Sequence, residues 1–138
     1  MRYWNLWRKV FAMCRRQRQL FTMLILFDHG TPRGLLPSLS KHSVTTAKAQ
    51  GWERLVNGLL LKAAEEAGFD HLLTTDGKMR YQQNLSDRGI AILVLTDCTK
   101  WTQVRLHLDR ISAAVDAVAP GSYTAVQIPY PAGRALPY

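Results

Sequence analysis

The sequence predicts an α/β fold: a mostly parallel central sheet flanked by helices. Three observations carry that expectation. From Met23 onward, short apolar runs alternate with segments of helical period. Ile90-Ala-Ile-Leu-Val-Leu95 is apolar at every position, as suits a strand covered on both faces. Strands and helices alternating at this spacing imply βαβ units, for which right-handed crossovers are expected.

Met23-Leu-Ile-Leu-Phe27 reads as the first buried strand, ended by Asp28-His29-Gly30. Thr31 then suits a cap and Pro32 the first position of a short helix through Leu39, which Pro37 keeps brief. Ser43–Thr46 is β-branched and predicts a second strand, and Ala47–Gln50 a helical turn closed by Gly51. Gly58–Ala67 is the clearest helix. Asn57 is its expected N-cap, Leu59, Leu60, Ala63, Ala64 and Ala67 its buried face, and Gly68 its C′ residue.

Asp70–Thr74 predicts a third strand, followed by a loop over Thr75–Met79 and a short helix near Tyr81–Leu85. A turn at Ser86–Gly89 leads into Ile90–Leu95, the fourth strand. Trp101–Val118 reads as one long helix with Val104, Leu106, Leu108, Ile111, Ala114, Val115 and Val118 on its apolar side, ended by Pro120-Gly121. Tyr123–Ile128 is the last strand, and the Pro-rich tail 129–138 has no reason to be regular.

At 138 residues, 47% apolar and 20% charged, the chain fits one domain and excludes disorder and low-complexity classes. No apolar run approaches the roughly 18 residues of a membrane span, so no membrane partner is expected. Cys14 and Cys98 are too few for a disulfide scaffold or a zinc site. A reducing cytoplasm is the expected compartment. The net charge of +8 is concentrated: Arg2, Arg8, Lys9, Arg15, Arg16 and Arg18 fall in residues 1–22, which contain no acid.

That leader reads as a nucleic-acid arm, as an amphipathic membrane-surface helix, or as a segment outside the folded unit with Met23 as the start. The last is the favoured expectation. The folded unit is then 23–128, with no internal boundary.

In a parallel sheet, ligands bind beyond the carboxyl ends of the strands. Asp28 follows the first strand, Thr74, Thr75 and Asp76 end or follow the third, and Thr96 and Asp97 follow the fourth. Each acid taken alone suits a turn cap. Together, Asp28 and Asp76 point to a site. Clustered carboxylates need a compensating cation, and hard ions such as Mg²⁺ or Mn²⁺ prefer oxygen ligands, with Asp97 a third candidate ligand. Arg33, Lys78 and Arg80 are the expected phosphate contacts, with Thr75 beside them. His42 and His71 read as structural or surface residues, and Cys98 as unactivated. No GxxxxGK[ST], GxSxG or GxGxxG is present, which disfavours common NTPase, α/β-hydrolase and dinucleotide-binding readings.

Met23-Leu-Ile-Leu-Phe-Asp-His-Gly-Thr-Pro-Arg-Gly-Leu35, His42-Ser-Val-Thr-Thr-Ala47, Gly51-Trp52, the stretch from Asn57 through Leu73-Thr-Thr-Asp76, and Arg80-Tyr-Gln-Gln-Asn-Leu85 resemble the DUF5615 family of PIN-like domains. The likeness spans about 23–128 and is most specific over Leu72–Leu85. It implies a three-layer α/β fold and a metal-dependent endoribonuclease, of the kind found as toxins in toxin–antitoxin pairs. Asp28 would be the first catalytic acid and Asp76 the acid after the third strand. The family's further acid, opening the central helix, falls at Asn57, and His29 stands where many relatives carry Glu or another polar residue. Glu53, four residues earlier, or Glu65 and Glu66 could take that acid's place, though the last two lie toward the far end of the helix and spacing disfavours them. RNA and an antitoxin protein are the implied partners, with a homodimer a further option. The alternative is a degenerate PIN-like module that binds protein or RNA without cleaving.

Overall fold

The computed structural model describes residues 22–77 and 88–132. The leader 1–21, the expected short helix near Tyr81–Leu85 and the tail 133–138 lie outside the described residues. Five strands form one sheet: β1 (Leu24–Phe27), β2 (Ser43–Thr46), β3 (His71–Thr74), β4 (Ala91–Asp97) and β5 (Tyr123–Ile128). Their order is β2-β1-β3-β4-β5, and every neighbouring pair is parallel.

Side chains leave a strand alternately to its two faces, and the core divides accordingly. Ile25, Phe27, Leu73, Leu93 and Leu95 enter one apolar cluster. Leu26, Leu72, Ile92 and Val94 enter the other. This two-sided burial is why the central strands read as unbroken apolar runs. The edge strand β2, by contrast, is half-exposed and polar.

The first cluster is covered by a 3-10 helix (Arg33–Leu39), α2 (Trp101–Val104), a 3-10 turn (Arg105–His107) and α3 (Leu108–Ala117). The second is covered by α1 (Asn57–Glu66) through Leu60, Leu61 and Ala64. Helices on both faces of a parallel sheet make three layers, as the sequence predicts.

Several details differ from expectation. The 31–39 segment is a 3-10 helix with Pro32 at its N-cap position, and Thr31 is buried instead of capping. Pro37 lies inside it and has no N–H to give an α-helical ladder. Val56, in extended conformation, is the N-cap residue of α1; Asn57 is the first helical residue. Leu59 is 63% exposed, because positions 60, 61 and 64 take the inward face. The expected helix 101–118 is interrupted at Arg105–His107, and Leu106 is 61% exposed. The stripe that is buried there runs through Val104, Ile111, Val115 and Val118. Strand β4 continues to Asp97, so Thr96 and Asp97 pair with Gln127 and Ile128 instead of lying beyond the strand.

The crossovers also depart from expectation. The β2–β3 and β4–β5 connections step the same way along the sheet, yet they cross opposite faces. The two therefore have opposite hands, where a uniformly right-handed set was expected. Burial supplies a reason. The seven-residue 3-10 helix spans only about 14 Å and cannot cover Ala91, Leu93, Leu95 and Val126. The segment 101–118 covers them instead.

At the amino edge, His42 fastens three elements. The Met23 backbone N–H donates to its Nδ1 at 3.2 Å, so Nε2 carries the hydrogen that reaches Asp116 Oδ1 on α3 at 2.8 Å. His71 is buried against Met23 Sδ. Both histidines are structural, as expected.

Candidate functional site

With this strand order, β1 is left toward β2 on one face, and β3 is reached from β2 over the other. The switch point falls between β1 and β3, and connections that splay to opposite faces open a crevice at the carboxyl ends there. Register places the acids. Phe27 pairs with Leu73, so Asp28 and Thr74 lie at the same level on adjacent strands.

Hydrogen bonds lock that edge. Asp28 N–H donates to Leu73 O at 3.0 Å, extending the ladder by one residue. Thr74, fully buried, donates its hydroxyl to Asp28 Oδ2 at 2.7 Å and accepts from the Asp76 backbone N–H at 3.0 Å. One hydroxyl thus joins the two loops that carry the acids. The His29 backbone N–H donates to Asp28 Oδ1 at 2.7 Å. Thr31 closes the turn: its N–H reaches Asp28 O at 3.1 Å and its hydroxyl reaches Leu73 O at 2.8 Å. Thr31 thus fastens the β1 loop to β3, where the sequence predicts a helix cap. Its signal was a small hydroxyl residue just past a strand, between Gly30 and Pro32.

Each oxygen of Asp28 accepts one of these bonds and keeps lone-pair capacity for a further partner. Asp28, Thr75 and Asp76 are all partly exposed, so the edge is open to solvent. Gly30 brings the β1 loop against Thr75: a Cβ there would lie 2.6 Å from Thr75 Oγ1. His29 Nε2 lies 3.1 Å from Leu55 O, which brings the approach to α1 alongside the β1 loop. Asn57 opens that helix, two residues past the Leu55 carbonyl that His29 meets; its side chain lies outside the described residues.

The other expected residues divide. Arg33 is exposed at the start of the 3-10 helix on the same edge. Lys78 and Arg80 lie outside the described residues. Asp97 is separated from the pair. It stands two strands from Asp28 and three residues beyond its register level, on the order of 14 Å away and too far to share one ion. It takes a left-handed φ of 67°, and its carbonyl accepts from the Tyr130 hydroxyl. Glu65 is bound to Arg88 at 2.9 Å, while Glu53 and Glu66 are exposed. Among the described residues no group of three or more His, Cys, Asp or Glu is gathered.

The donors at the edge are carboxylate and hydroxyl oxygens, which suit a hard divalent ion that retains several waters. They do not suit a soft metal, since Cys98 is buried beyond β4 and away from the pair. Asp28, with the Asp76 loop tied to it through Thr74, would be the residue to hold such an ion, and Asp76 the second candidate. No helix among the described residues is long and apolar enough to cross a membrane. Compared with protein-family models, curated proteins and solved structures, the chain matches none of them.

Proposed function

We propose that this chain is a Mg²⁺- or Mn²⁺-dependent endoribonuclease of PIN type that acts as the toxin of a toxin–antitoxin pair in the cytoplasm. The observation that carries the reading is the Thr74 hydroxyl bridging Asp28 and the Asp76 backbone at the switch point of the sheet. Two acids from strands remote in sequence are thereby held at one solvent-open edge. The choice of RNA, and of an antitoxin as partner, rests on the likeness to DUF5615 domains.

When bound, a divalent ion supplies charge neutralisation at a phosphodiester and activation of a water. The chain's own residues hold and orient. Thr74 and the His29 N–H fix the Asp28 carboxylate with one donor on each oxygen, so it costs no reorganisation when charge develops beside it. Arg33 meets the RNA backbone from the 3-10 helix, and Lys78 and Arg80 are the further phosphate contacts. Asn57, at the mouth of α1, contributes an amide in place of the family's acid.

The test uses the full chain and Asp28→Asn on a structured RNA, with and without Mn²⁺. Cleavage by the parent should require the ion and fall about 100-fold or more in the variant. Equal cleavage by both removes the proposal. A second reading, a PIN-like module that binds without cleaving, is favoured by the amide at position 57 in place of an acid. Calorimetric titration with Mn²⁺ separates the two, because catalysis of this kind requires the ion to bind.

A further inference from the structure

We infer that Trp101, with Arg33, Lys100 and Arg105 around it, forms a base-stacking platform that leads single-stranded RNA into the Asp28–Asp76 edge. The inference rests on the proposed nuclease reading and names how its substrate is held.

Trp101 is the first residue of α2, at the same carboxyl edge as the acids, and it is 39% exposed. An indole is large enough that this leaves a substantial aromatic surface in water, a loss that a binding partner would recover. The ring is also seated. A Cβ at Gly34 would lie 2.7 Å from Trp101 Cε2 and closer still to two other atoms of the six-membered ring. Any side chain at position 34 would therefore displace the indole. Gly34 belongs to the first turn of the 3-10 helix, which begins five residues after Asp28. The platform and the acid are thus tied to one short stretch of chain.

The charges that flank the ring along the chain are positive, Asp97 being the first acid before it. Arg33 adjoins Gly34, Lys100 precedes Trp101 and Arg105 follows it by one helical turn, and all three are exposed. No ion pair among the described residues engages any of them. The segments 29–52 and 98–108 contain no Asp or Glu. An exposed aromatic ring ringed by free cations matches the demands of a single strand: every base offers a π-face, and every phosphate a negative charge. An apolar or acidic protein segment would use the ring or the charges; a single strand uses both. The arrangement also accounts for a tryptophan left partly in water.

The test measures binding of a labelled single-stranded RNA of roughly 12 nucleotides, within the site sizes of about 4–16 seen for single-strand grooves. The full chain carrying Asp28→Asn serves as parent, so that the probe survives. Trp101→Ala should weaken binding about 5- to 150-fold, while Trp101→Phe, which keeps a ring, should stay within about threefold. Gly34→Ala, which leaves the indole in the chain but unseats it, should weaken binding in the same direction. Lys100→Gln and Arg105→Gln should each lower the slope of log affinity against log salt by about 0.7. Unfolding melts of each variant check that the fold is retained, and the two charge variants keep the test decisive if Trp101→Ala fails to fold. Equal affinity of the Ala and Phe variants, with unchanged salt slopes, overturns the platform. If the wild-type chain nevertheless cleaves RNA, the nuclease reading survives that result. If the parent binds no RNA and the wild type cleaves none, both fall together.

Discussion

Thr74→Val is the sharpest perturbation available at the site. Valine has nearly the shape of threonine, so the fully buried position is refilled without a cavity, and only the hydroxyl is lost. Two bonds go with it: the 2.7 Å donation to the Asp28 carboxylate and the 3.0 Å acceptance from the Asp76 N–H. A hydrogen bond to a charged group contributes roughly 1.5–3 kcal/mol and a neutral one about 1 kcal/mol. Asp28 and Asp76 are both partly exposed, so water replaces some of the loss and the lower end applies. The expected cost is about 2 kcal/mol. With a urea m-value of roughly 1–3 kcal/mol/M, the unfolding midpoint should fall by about 1 M. Thr74→Ser keeps the hydroxyl, loses one methyl and should cost about 1 kcal/mol. Mn²⁺-dependent cleavage should survive in the serine variant and fall at least about tenfold in the valine variant, since the Asp28 carboxylate then loses its fixed orientation. A valine variant with the wild-type midpoint, and with cleavage equal to the serine variant, would refute the bridge.

Further expectations follow from single contacts. Gly30→Ala places a Cβ 2.6 Å from Thr75 Oγ1, so the Thr75 side chain must rotate away; cleavage should drop while the melting temperature changes by only a few degrees. Gly68 holds a φ of +86° at the C′ position of α1, with its N–H on Glu65 O and the Phe69 N–H on Ala64 O. Gly68→Ala should therefore cost about 1–2 kcal/mol in a urea melt. Burial pushes the Asp116 carboxyl up, but hydrogen bonds from His42 and Lys41, with the Lys41 charge, outweigh it and leave the pKa below its ordinary value. The stabilisation is thus present above the unfolded carboxylate pKa and is lost as pH falls through the lowered folded one. Because Asp116 is substantially exposed, Asp116→Asn should lose no more than about 1 kcal/mol at pH 7, and that deficit should vanish near pH 2 in paired urea melts.

Several elements were legible in the chain by itself because their causes are local. Ile90–Leu95 could bury both faces in no other regular element of that length, and Ser43–Thr46 and Tyr123–Ile128 have the bounds that β-branching and flanking turns suggest. Gly68 and Gly121, both at positive φ, stand where the chain must turn out of a helix. The placement of Asp28 and Asp76 just past β1 and β3 was legible for the same reason, as each follows an apolar strand that must be central.

What the tertiary structure decided is everything that depends on which faces need covering. The sequence alone marks Leu59 and Leu106 as core, whereas packing leaves both in water because their neighbours already fill the sheet's faces. Register, not proximity to a strand end, detaches Asp97 from Asp28, since β4 runs on until Asp97 lies three residues past the level of Asp28. The opposite hands of the two crossovers, the Thr74 bridge and the seating of Trp101 on Gly34 join residues 46 to 67 positions apart or compare whole connections. Local propensity carries no term for such distances; they are fixed when the apolar faces of five strands compete for the few helices able to bury them.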